Sequence, residues 1–125
     1  MGLIIGGVKV ANTLKRFYTG QPSSTAIDTL YTVPSDTKSL IKDILACNTS
    51  TGTRYLSLHA VPATSTGGLG TAGSSNAIFY NTPIDANDTI SLSVSLALDS
   101  SNDTIQASQS TSADITLFIS GLEVT

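Results

Sequence analysis

The chain has 125 residues, 40% of them hydrophobic and only 12% charged, with a net charge of −3 at neutral pH. That length suits one domain with a single core, and the acidic balance lacks the basic footprint from which nucleic-acid affinity mostly arises, so no nucleic-acid partner is expected. The missing charge is replaced largely by Ser and Thr, which together with Gly favour strands joined by turns over helices.

The opening Met1-Gly2-Leu3-Ile4-Ile5-Gly6-Gly7-Val8 is apolar but short and broken by glycines. It is expected to be neither a signal peptide nor a membrane span, and no membrane partner is expected. Gly6 stands where the myristoylation pattern wants Ser or Thr. The reading that remains is an extended arm: residues 1–25 as arm and lead-in, residues 26–125 as the folded domain. Leu3, Ile4, Ile5 and Val8, with the local cation cluster Lys9, Lys15 and Arg16, are the candidate partner-binding residues. An apolar arm of this kind is suited to adding a strand to a neighbour's sheet edge.

From residue 26 onward the pattern is of short strands. Strands are predicted over 26–33, 39–48, 54–61, 77–80, 89–98, 104–108 and 114–121, with Leu122 and Val124 extending the last. The clearest is 89–98, where Ile90, Leu92, Val94, Leu96 and Leu98 alternate with Ser91, Ser93, Ser95 and Ala97. That period of two marks a strand with one core face and one hydroxyl face. Polar turns separate the strands, and Asn-Asp-Thr-Ile occurs twice, at Asn87–Ile90 and Asn102–Ile105, each time where a turn enters a strand. Residues 63–76 are nearly all Gly, Ser, Thr and Ala and read as one long surface loop. The expected fold is all-β: a single antiparallel β-sandwich or jelly roll of seven to eight short strands.

Few residues carry chemistry. Gly68-Leu69-Gly70-Thr71-Ala72-Gly73 spells the dinucleotide-binding glycine pattern, but a strand rather than a helix is predicted after it, so no phosphate cradle is expected. His59 is the only histidine. Alternation sets it on the face of Tyr55 and Ser57, opposite Leu56 and Leu58, where a sheet-face or interface role outweighs a catalytic one. One His and the single Cys47, expected to be a buried thiol, are too few to hold zinc. Asp85, Asn87, Asp88, Asp99, Asn102 and Asp103 offer hard oxygens without calcium-loop spacing, so solvated turns are the expectation. Asn48, Asn87 and Asn102 each begin a glycosylation acceptor triplet that also reads as a turn. No cofactor, metal or enzymatic activity is expected.

The strand-and-turn patterns Leu30-Tyr31-Thr32-Val33-Pro34, Ala46-Cys47-Asn48-Thr49-Ser50, Leu56-Ser57-Leu58-His59-Ala60-Val61-Pro62 and Ile115-Thr116-Leu117-Phe118-Ile119-Ser120-Gly121-Leu122-Glu123 resemble those of small structural proteins of tailed bacteriophages. The resemblance covers the chain from about residue 26 and implies a β-sandwich located in the virion, with no catalytic residues. The leading expectation is a capsid decoration (cement) protein that binds other virion proteins, the major capsid protein first, as a homo-oligomer. A neck, tail or fibre component is the alternative. A carbohydrate-binding module is the third class, weakened by the absence of Trp and the small number of Phe and Tyr.

Overall fold

The computed structural model describes residues 2–5 and 8–125, with side chains described from residue 11 onward. Nine strands follow one another: β1 (Gly2–Ile5), β2 (Val8–Gly20), β3 (Asp28–Thr32), β4 (Lys38–Asn48), β5 (Arg54–Val61), β6 (Ala77–Ile84), β7 (Thr89–Leu98), β8 (Thr104–Gln109) and β9 (Ile115–Val124). A single 3₁₀ turn, Ser74–Asn76, precedes β6, and the described residues contain no α-helix.

Two antiparallel sheets result, one in the order β1-β2-β9-β4-β7 and the other β3-β8-β5-β6. Their inner faces meet in one core. Ile41, Ile44, Leu56, Leu58, Ile105, Ile115, Leu117 and Ile119 are all buried there, drawn from both sheets. Phe17 of β2 and Tyr31 of β3 close one end of it, their ring centroids 4.7 Å apart and tilted by 57°. The protein is therefore an all-β antiparallel sandwich.

The start of the chain departs from expectation. Residues 12–20, read as a lead-in ahead of the domain, are instead a strand of the first sheet, paired with β9 from Asn12↔Val124 to Gly20↔Leu117. Phe17 is in the core. The domain thus reaches back past residue 26. Alternation fails to reveal β2 because its register shifts between Arg16 and Tyr18, so the adjacent Phe17 and Tyr18 both face the core. Residues 2–5 do not extend freely either, since their backbone pairs with 8–11 of the same chain. The side chains of Leu3, Ile4, Ile5, Val8 and Lys9, named above as partner-binding candidates, lie outside the described residues.

Elsewhere the differences are local. β6 runs on through Asn81-Thr82-Pro83 to Ile84 instead of stopping at Tyr80; as an edge strand it tolerates Pro83, and Asn81 takes up a positive φ of 46° where the ladder shifts. Cys47 is half-buried rather than buried. β8 is buried on both faces, because the loop after β5 folds over its outside. Gln106 donates to Gly70 O at 3.2 Å and Asn102 to Gly67 O at 2.7 Å. Gly70 lies so close to Val61 and Pro62 that a β-carbon there would stand 2.3 Å from Pro62 O. The glycine pattern at 68–73 therefore serves close packing of a loop against a sheet.

Candidate interaction surface

His59 is placed as expected on the outer face of β5, but it is covered by the loop and buried. Its Nδ1 meets two acceptors, Gly73 O at 3.1 Å and Asn76 Oδ1 at 3.0 Å, so that nitrogen carries the proton. No serine or carboxylate bonds the ring, and its role is to fasten the loop.

Of the turn acids and amides, the side chains of Asp88, Asn102 and Asp103 bond backbone groups. Asp103 accepts from Ala63 N at 2.7 Å and Ser100 N at 3.1 Å. Asn87 and Asn102 occupy the same left-handed conformation, φ 56° and 69°. In each repeat the following aspartate carbonyl accepts the amide of a neighbouring chain segment, Asp88 O from Asn48 and Asp103 O from Val33, both at 2.9 Å. The repeated tetrapeptide is one turn solution used twice. Asn48 is fully buried, and its Nδ2 donates to Gly52 O, Ile84 O and Asp85 O at 2.8, 2.9 and 3.2 Å. A glycan on that nitrogen is incompatible with this fold.

The surface that remains is the outer face of the first sheet. Cross-strand pairing aligns Leu14 with Leu122, Leu122 with Leu40, and Leu40 with Ala97. A second row runs Thr19–Phe118–Leu45–Ser91. Leu14 is 86% exposed, Phe118 45% and Leu45 43%. An apolar side chain on an open sheet face is common singly, but rows of them on one face mark a contact surface. The hydroxyl side of β7 was the surface legible in the sequence; β4 and β9 add an apolar one.

Between the two apolar rows lies a charged one. Arg16 pairs with Ser120, Ser120 with Asp43 and Asp43 with Ser93. Lys42 sits in the irregularity between Ile41 and Asp43, its Nζ donating to Ser95 Oγ at 2.9 Å. Asp43 accepts from Ser93 Oγ at 3.1 Å. Arg16 and Lys42, with Lys15, border an open groove of about 580 Å³ floored by Ser120 and Leu122. Lys15, Arg16 and Lys42 are half of the six cations of an acidic chain. Among the described residues the only ion pair is Arg54–Asp114, elsewhere, at 3.0 Å. The cations of this face form no ion pair among the described residues, although Asp43 lines the same groove. Of the candidates named from the sequence, Arg16 is brought to this surface and Lys15 lines the groove from the row of Gly121 and Ile41; Leu14, Lys42, Leu45 and Phe118 were missed. The available signal was the absence of alternation in 44–47 and 117–119, where apolar residues point to both sides.

No protein-family model matches the sequence and no curated protein matches it. Among solved structures, a chain of the T13 infectious bursal disease virus particle aligns with 92% of this protein at 9% identity and a TM-score of 0.51. VP2 of the infectious bursal disease virus subviral particle aligns over 92% at 9% identity with a TM-score of 0.47. The protein spans 30% and 32% of those two chains. At such identity the likeness is one of fold: the protein is an all-β antiparallel sandwich of a kind found within a chain of a viral particle.

Proposed function

We propose that the protein is a structural component of a bacteriophage virion, a decoration (cement) protein that seats the outer face of its first sheet on the major capsid protein. The observation that carries this reading is the exposed pair of apolar rows flanking Arg16 and Lys42. Apolar anchors supply affinity at the centre of an interface, and cations that form no ion pair within the chain favour an acidic, complementary surface and speed the encounter. The fold likeness to a chain of an icosahedral viral particle supports the setting.

The experiment is co-sedimentation with particles assembled without the protein. Leu45→Asp and Phe118→Asp place a carboxylate inside the contact and are expected to weaken binding by roughly 10- to 100-fold each, the effect of losing an interface anchor. Both residues are exposed, so thermal unfolding is expected to stay close to wild type. Unchanged particle binding by both variants would refute the proposed face.

A further inference from the structure

A sheet edge presents unpaired backbone groups, and proteins blunt such edges with charges, proline, bulges or brevity. Three of the four edges here are blunted. On one side of the first sheet the edge is β1, only four residues long, and beyond it the free part of β2, which carries Lys15, Arg16 and a register shift. β3 has only five residues and its own shift. β6 contains Pro83 and the positive-φ Asn81. β7 is different: ten residues without a charge or a proline. Its one irregularity, Val94 and Ser95 opposite Lys42, leaves 89–93 as a regular edge.

The inner row of β7 is also unfinished. Ile90, Leu92, Val94 and Leu96 pack on the core but stay only partly buried, whereas the equivalent residues Ile41, Ile44 and Ile119 one and two strands further in are 0–1% exposed. What is missing is a further strand beyond β7 with the same alternation.

We infer that this strand is β7 of a second copy, paired antiparallel about Ser91. Any such self-pairing sets residues of equal parity opposite one another, so Ile90 faces Leu92 of the second copy in the core layer and serines meet in the outer layer. Alternation selects this occupant, because β7 is self-complementary about Ser91, and charge permits it. Two chains of net charge −3 repel, and β7 is a long strip where they approach without opposing charges. The resulting two-fold is closed, so association stops at the pair along this edge.

The test is sedimentation equilibrium of the full chain at tens of micromolar, beside Ser91→Lys/Ser93→Lys. Those positions lie on the outer face; in the pair the two charges at position 91 stand directly opposite each other, and each charge at position 93 faces Thr89, diagonal to position 91 of the other copy. Wild type is expected to sediment as a dimer or a multiple of it, with association weakened roughly tenfold or more in the double variant. Phe118→Asp is expected to keep the wild-type oligomer, which separates this edge from the capsid-binding face. Hydrogen exchange of wild type gives a readout independent of any substitution: amides of 89–93 are expected to gain protection as concentration rises. A monomeric wild type, an oligomer indifferent to the lysines, or exchange at β7 independent of concentration would each overturn the inference; if the β7 amides gain protection only when capsid particles are added, the edge belongs to the capsid protein instead.

Discussion

Tyr31 ties the two sheets together through one hydroxyl. It donates to the Glu123 carboxylate on β9 and accepts from Ser39 Oγ on β4 at 2.8 Å. Burial first, then the bond to Glu123, pushes its pKa up to about 12 from an ordinary 10.0. A raised pKa means that the folded state favours the protonated phenol. Its contribution to stability is complete below pH 10.0 and is lost as pH rises toward about 12. Denaturation midpoints measured across that window are expected to fall, and Tyr31→Phe is expected to remove this part of the fall while lowering stability at neutral pH by about 1–2 kcal/mol. Gly121 is the other critical single residue: a β-carbon there would lie 1.8 Å from Leu40 O and 3.0 Å from Phe17 Cε2. Gly121→Ala should cost about 2–3 kcal/mol in chemical denaturation, because the β4–β9 ladder must part. Gly73→Ala, where a β-carbon meets nothing within 4 Å, should stay within about 0.5 kcal/mol. Neither role was legible in the sequence. A glycine in a strand announces close approach but not to what, and Tyr31 finds Glu123 at a position 92 further along the chain.

At the level of elements, legibility followed regularity. β7 was read to its ends because its alternation is unbroken, and the Asn-Asp-Thr-Ile turns were read correctly because their chemistry is local. The turns make a clean test: Asn87→Gly should be neutral, whereas Asn87→Val, forced to a φ of 56°, should cost about 1–2 kcal/mol as read by thermal unfolding. β2 escaped because a bulge shifts its period and because its partner, β9, lies at the other end of the chain. The loop after β5 was recognised by composition. That it roofs His59 and Gln106 was not, since this depends on Gly70 lying against Val61 and Pro62.

Across the whole molecule, most ladders join distant strands: β2 to β9, β3 to β8, β4 to β7 and β9, β5 to β8. The functional surface inherits that topology. Lys15 and Arg16 were visible as a local cluster, yet Lys42 and Phe118 join them only through β9 and β4, so the face exists in the fold and not in any one segment. Apolar residues occupy both sides of β4 and β9: one side is the core, and the other is the face proposed above to meet a partner. The most direct measurement is the density of the protein on intact virions by cryo-electron microscopy. The expected result is the outer face of the first sheet buried on the capsid, with Leu14, Leu45 and Phe118 in contact and Arg16 and Lys42 against acidic side chains. Density with that face turned to solvent, or particles that carry none of the protein, would contradict the account.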